Sequence, residues 1–531
     1  MKNVLKIAFL ALPFLFMSCS SDDDAMDREK EEFMGEVMTF DLSARSNSSV
    51  SGTATFTENE DNSTTLELKL DGTTSGMHPA HIHFNSASEG GDIAVSLEAV
   101  DGSTGMSTTT FSTLDDGTAI TYMEAVNFDG YINVHLSADD LGTLVAQGDI
   151  GVNDLTGESK SYTLSSRDVD GIMGSVLFEE RANGEAQATL MLENSPEDGM
   201  HPAHIHMNTA AEGGDIAFTF KSVNGTTGMS RTNVSALDDG TMFGYEDILD
   251  FDGYVNVHLS AEDLGTLVAQ GDIGQNELTG ESKTYELDSK AVDGIMGTAT
   301  FEERVNGEAL ATLMLENTPE DGMHPAHIHM NTAAEGGDVA FTFNSVIGAT
   351  GMSKTNVAAL NDGTTFGYEN ILDYDGYINV HLSADDLGTL VAQGDIGQNE
   401  LTGEAVTYQL NSVAVDAIMG TAMFEERVNG ETLVTLSLQN TPVDGIHPAH
   451  IHMGSVAEAP GDIAITLNSV MGASGMSFTN VSAFNAAEGE EAEAITYENL
   501  TMFDGYINVH LSVENLATLV AQGNIGANAG S

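Results

Sequence analysis

His78-Pro79-Ala80-His81-Ile82-His83 is the stretch on which the reading of this chain turns. The pattern returns at His201, His324 and His447, in steps of 123 residues. Each copy is followed by a second segment, Tyr131-Ile132-Asn133-Val134-His135 in the first and its counterparts ending at His258, His381 and His510. All 16 histidines fall in these sets and none lies elsewhere. A period of this length is the size of a domain with its own core, far longer than a solenoid repeat. The 531 residues therefore read as four like domains in a row.

Working outward from the histidines, short alternating runs follow one another. Gly297-Thr298-Ala299-Thr300-Phe301 and Ala188-Thr189-Leu190-Met191-Leu192 are examples, and Asn183-Gly184, Asn306-Gly307 and Asn429-Gly430 mark hairpin turns between such runs. About seven to eight strands per repeat, with turn signals between them, predict an all-β protein: four tandem antiparallel β-sandwich or Greek-key domains. Their expected bounds are 33–156, 157–279, 280–402 and 403–527. The one helix-like stretch is Ser137-Ala138-Asp139-Asp140-Leu141, long enough for a single turn. The second and third repeats are nearly identical from Pro196 to Asp215 and from Pro319 to Asp338, which points to recent duplication. The fourth carries an acidic insertion, Glu488-Gly489-Glu490-Glu491-Ala492-Glu493, which marks a loop.

The start of the chain reads as a targeting segment. Lys2 and Lys6 flank an apolar run through Phe16, and Met17-Ser18-Cys19 follows. Residues 1–18 are expected to be a lipoprotein signal peptide, with Cys19 acylated and inserted in the membrane after cleavage. Residues 19–32 form an acidic tether whose Ser20-Ser21-Asp22-Asp23-Asp24 resembles the export signal of Bacteroidetes surface lipoproteins, implying an outer-membrane, surface-exposed location. With a single cysteine, the domains hold together without disulfides.

Sixteen basic against 82 acidic residues give a net charge of −66. Such a field repels nucleic acid and anionic lipid and suits a solvated surface in a salty medium. The absence of Trp and an aromatic content of 6% argue against a sugar-binding module built on aromatic platforms.

Successive side chains of a strand point to opposite faces. His81 and His83 therefore share one face while Ile82 points inward, and His135 and Asn133 point outward while Ile132 and Val134 point inward. If the two strands are neighbours, three imidazoles converge. Imidazole suits copper and zinc, and three His with an open position is the make-up of a catalytic metal site. The candidate ligands are His81, His83 and His135; His204, His206 and His258; His327, His329 and His381; and His450, His452 and His510. His78, His201, His324 and His447 are expected to play a supporting or structural part. A hydrogen-bonded histidine network, paired with Asp92 or Asp129, is the competing reading. Met106, Met229, Met352 and Met476 each sit in a Gly-Met-Ser triplet; their thioethers are soft copper ligands, but core filling is the preferred reading. No Asp-x-Asp-x-Asp-Gly loop for calcium is present.

Gly52-Thr53-Ala54-Thr55-Phe56, Ala80-His81-Ile82-His83 and Tyr131-Ile132-Asn133-Val134-His135, in that order, resemble the CHRD family, a secreted β-rich module first described in chordin. The resemblance extends over most of each repeat and implies a binding module without an assigned activity. The closing segment departs from it: Ala146-Gln147-Gly148-Asp149-Ile150-Gly151 lacks the family's basic residue. A second resemblance is to copper/zinc superoxide dismutase, through His78 to His83 and through Val134-His135-Leu136-Ser137-Ala138-Asp139-Asp140-Leu141-Gly142. It implies copper on His81, His83 and His135. It also departs, because no His lies between His83 and His135 to bridge to or hold zinc.

The expected function is therefore that of a non-enzymatic surface lipoprotein presenting tandem modules for adhesion to, or binding of, an extracellular ligand or matrix. Repetition raises avidity, whereas catalysis gains little from linked copies. The alternative is a copper- or zinc-binding protein with dismutase-like sites.

Overall fold

The computed structural model describes residues 33–530 apart from Asn47, Asp416 and Glu488. The signal segment 1–18, Cys19 and the 19–32 tether lie outside the described residues, as does Glu488 of the acidic insertion. The chain divides into two compact units, one ending at Asp154 and one beginning at Leu155.

The first unit is the first repeat. Its strands are β1 (Val37–Ala44), β2 (Ser51–Glu58), β3 (Thr64–Asp71), β4 (Met77–Phe84), β5 (Ile93–Asp101), β6 (Met106–Phe111), β7 (Asp129–Ser137) and β8 (Asp140–Gly151). They close into a barrel in the order β1-β2-β3-β6-β5-β4-β7-β8. Two interlocked Greek keys produce that order, because β3 returns beside β6 and β7 beside β4. The seam is short: β1 meets β8 only through Ser43 opposite Gln147 and Ala44 opposite Ala146. Alternation fills the interior with Phe40, Phe56, Leu66, Leu68, Ile82, Ile132 and Val134. Each such side chain contributes roughly 1.5–3 kcal/mol by leaving water.

The second unit holds the other three repeats, each with its own buried cluster. The fourth closes in the same strand order as the first. In the second and third, the His-bearing strand falls into two pieces on either side of Pro202 and Pro325, whereas it runs on through Pro79 and Pro448 in the first and fourth. The same circuit of neighbours results, with the two split strands bringing the total to ten. The all-β expectation holds, as closed barrels in the first and fourth repeats and as ten-stranded sheets in the second and third.

Two local expectations are corrected. Ser137 to Leu141 is not helical: Ser137 pairs with Asp140 in a tight turn between β7 and β8. Ser137 Oγ accepts from Asp140 N at 3.2 Å and Asp140 Oδ1 accepts from Thr143 N at 3.0 Å, so the polar side chains stabilise a turn instead of a helix. The helical turn is α1 (Tyr122–Ala125), opened by a capping box between Thr121 and Glu124. The Gly-Met-Ser methionines are not core either. Met106 and Met229 are 40% and 37% exposed, while the next residue, Ser107 or Ser230, takes the buried place.

Within the second unit, successive repeats are joined by three residues, Gln275 to Glu277 and Gln398 to Glu400. A buried ion pair reinforces each join. Arg304 Nη1 lies 2.8 Å from Asp272 Oδ2 of the preceding repeat and also bonds the carbonyl of Asn276; the Arg304 side chain is 0% exposed. Arg427 repeats this with Asp395 at 2.8 Å and with the carbonyl of Asn399.

Candidate metal centre

In the first repeat β4 and β7 are neighbours, with His81 opposite Asn133, Ile82 opposite Ile132 and His83 opposite Tyr131. Register thus places His81 and His83 beside the outward face of β7. His135 lies one residue beyond the last pair and two after Asn133, so it shares that outward face, beside a shift in register carried by β8. The three imidazoles converge, and in every repeat their ligand atoms lie within 4.8 Å of one another.

Hydrogen bonds settle which nitrogen of each ring faces the others. His135 Nδ1 is 2.7 Å from the carbonyl of Leu141, and His83 Nδ1 is 3.0 Å from that of Gly91. A carbonyl only accepts, so each Nδ1 carries the proton and each Nε2 keeps a lone pair. His81 turns the other way, its Nδ1 standing 3.2 Å from His135 Nε2. The set offered to an ion is therefore Nδ1 of His81 with Nε2 of His83 and His135. Nitrogens bound about 2.05 Å from a tetrahedral ion stand about 3.3 Å apart, the spacing of the His81–His135 pair.

The same bonds recur in the other repeats. His206, His329 and His452 give Nδ1 to the carbonyls of Gly214, Gly337 and Gly461 at 2.9 Å, and His258, His381 and His510 give theirs to Leu264, Leu387 and Leu516 at 2.6–2.7 Å. In the third repeat His327 Nδ1, His329 Nε2 and His381 Nε2 are all buried and without a hydrogen-bond partner. These are the atoms the first repeat picks out as ligands.

Burial favours the neutral form of two rings in each triad. Burial, and then the neighbouring His258 and His206 rings, hold His204 down to about 4; burial with His510 and His452 does the same to His450. Burial likewise lowers His81, His135, His258, His327, His381 and His510. Depressed basicity leaves the lone pairs free at neutral pH, as a metal requires.

His78 stands apart. It shares strand parity with Ala80 and Ile82 and is buried on their side of β4, opposite to His81 and His83. Its Nδ1 is 3.2 Å from the carbonyl of His135 and its Nε2 3.0 Å from that of Thr74, which ties the strand ends together. His201, His324 and His447 make the equivalent contact to the carbonyls of His258, His381 and His510. Asp92 and Asp129 are not the partners of the cluster: Asp129 Oδ1 accepts from Asn153, and the histidine bonds described run mainly to main-chain carbonyls.

No protein-family model matches this chain, and no curated protein matches it either.

One set of positioning residues was not read from the sequence. Gly91 both accepts from His83 and gives its N–H to Tyr131 Oη at 3.2 Å, while the Tyr131 ring stacks on His83 at 4.9 Å. A Cβ on Gly91 would sit 2.0 Å from the carbonyl oxygen of Phe84, so the approach needs glycine. The signal was present as Gly91, Gly214, Gly337 and Gly461, each directly before an Asp and at a near-constant distance after the His pair.

Proposed function

We propose that the chain is a non-enzymatic, surface-anchored array in which each repeat holds one copper or zinc ion on its histidine triad. The observation that carries this is the third repeat, where three buried imidazole nitrogens face one another with no hydrogen-bond partner. Unsatisfied buried acceptors are costly, and a cation shared among them removes that cost. Carbonyls fixing the far nitrogen of two rings are the supports that metal-ligating His commonly have. Lipidated Cys19 and the acidic tether would hold the array at the outer membrane, and the recurring motifs support CHRD-type modules.

The test is metal content of the full-length chain after dialysis against trace copper and zinc. About four ions per chain are expected, falling to about three when His327, His329 and His381 are replaced by Ala. Fewer than one ion per chain would sink the proposal.

Adhesion to an extracellular ligand or matrix is a second reading, favoured by the buried Arg304–Asp272 and Arg427–Asp395 pairs. Fixed spacing between repeats is what multivalent binding uses. Dismutase activity is not part of the proposal, because a charge of −66 repels an anionic substrate.

A further inference from the structure

We propose that Asn59 and Asn524 are caps, which keep a second copy of this chain from docking end to end on the array. The inner joins show what such docking requires. Asp395 uses both carboxylate oxygens: Oδ1 accepts from Ala333 N at 2.8 Å within its own repeat, and Oδ2 takes Arg427 of the following repeat at 2.8 Å. Asp272 divides its oxygens in the same way between Ala210 N and Arg304. The arginines close the sequence Phe-Glu-Glu-Arg at 301–304 and 424–427.

On the trailing side of the fourth repeat, the residue at this position is Asn524. Its Oδ1 accepts from Val456 N at 2.8 Å, so the bond inside the repeat is kept. What is lost is the negative charge that would balance an incoming guanidinium. A second group changes with it. Lys290 reaches across the third join to within 5.7 Å of the Phe478 ring centre, and the fourth repeat carries Val413 at the matching position.

The leading side of the first repeat is altered in the complementary way. Phe56-Thr57-Glu58 is followed by Asn59 where the later repeats have Arg. Asn59 Nδ2 donates to Ser63 Oγ at 2.9 Å and Thr65 Oγ1 at 3.0 Å, spending itself within its own turn. The acid is neutralised on one outer side and the base on the other, while the inner joins keep both. With Asn59 and Asn524 facing each other, an end-to-end contact would lack both the carboxylate–guanidinium pair and the arginine bond to the preceding carbonyl that hold the inner joins, and restoring only one of the two charges would bury it without a partner. Outer repeats that differ from inner ones in this way are the usual means of stopping a repeat array from growing.

The test is sedimentation velocity on the full-length chain at about 0.15 M ionic strength, where screening cuts the repulsion between acidic copies to about 8 Å. Asn524→Asp and Asn59→Arg are prepared separately. Each alone, and the unaltered chain, should sediment as single copies, and an equimolar mixture of the two variants should form a species of twice the mass. The double variant should form longer chains. A mixture that stays at single mass, with both variants melting like the unaltered chain, overturns the proposal, and so does end-to-end pairing of the unaltered chain. Asp395→Asn supplies an independent check by giving an inner join the outer chemistry. Limited proteolysis should then cut between Gln398 and Glu400, and unchanged resistance there overturns the proposal as well.

Discussion

In the second repeat His204 Nδ1 stands 3.0 Å from His258 Nε2, although 54 positions separate them in the chain. Two lone-pair nitrogens do not approach this closely unless a proton or a cation lies between them. Without metal, His204 supplies that proton to His258; with metal, both nitrogens turn to the ion. The His204–His258 pair therefore has two satisfied states, whereas His206 Nε2 is buried without a partner until a cation binds, and the balance is open to measurement.

Acidity should weaken the metal-free fold. An unfolded His titrates near 6.5, while His204 and His450 are held down to about 4 in the folded chain. Between these values the unfolded state binds more protons, so stability is fully present above about pH 6.5 and falls as pH drops toward about 4. Melting temperatures of the metal-free chain at pH 7, 6, 5 and 4 should decline across this window. A chain carrying Ala at all twelve triad positions should decline less; an equal decline would remove the triads as the cause.

Strand parity predicts opposite effects for neighbouring histidines. His201→Ala removes a buried side chain bonded to the carbonyls at 258 and 259 and should cost about 2 kcal/mol of stability, with the metal count unchanged. His204→Ala should abolish the ion of that repeat. Calorimetry and metal analysis on both variants check this, and the idea fails if His201→Ala loses the ion while staying folded.

Gly214→Ala should loosen the site from a distance. The added Cβ would meet the Met207 carbonyl at 2.0 Å, displacing the carbonyl that orients His206. Affinity at that site should fall roughly 10–100-fold, the usual cost of losing such a support. Competition with a chromophoric chelator measures it, and unchanged affinity would show that Gly214 is a bystander.

Arg304→Ala should uncouple the second and third repeats. Removing one member of a buried pair costs about 3–5 kcal/mol because the other is left uncompensated. The calorimetric transition should broaden or split. Replacing Asp272 and Arg304 together by Leu and Met should restore most of the loss, whereas a double variant no better than Arg304→Ala would point to packing instead of charge.

Much of this architecture could be read in advance. The 123-residue period gave four domains, and alternation gave both the strands and the shared face of His81, His83 and His135. The same parity, carried back three residues, also separates His78 from the triad, but that step needs the strand to run unbroken through Pro79. Other features depend on contacts between distant positions. Ser137 to Leu141 has helix-compatible residues, yet hairpin geometry between β7 and β8 overrode local preference. Thr121-x-x-Glu124 was a legible helix start that went unread. The Arg304–Asp272 pair spans 32 positions and a repeat boundary, so only the paired exceptions Asn59 and Asn524 betray it in sequence.

The two-residue pairing between the first and last strands of each repeat sets a problem of choice during folding. In the second repeat, strand Asp263–Gly274 is sealed by Ser165 and Ser166 of the repeat's first strand. Three residues further on comes Leu278–Ser289, a near copy of that first strand, already positioned to fold back as a hairpin. Either strand offers a similar edge, and taking the wrong one would shift every later barrel by one strand. Order of synthesis resolves this: the correct strand emerges more than 100 residues earlier and is packed before its rival exists. The chain should thus reach its native register far more faithfully when made from its N-terminus than when refolded whole from denaturant.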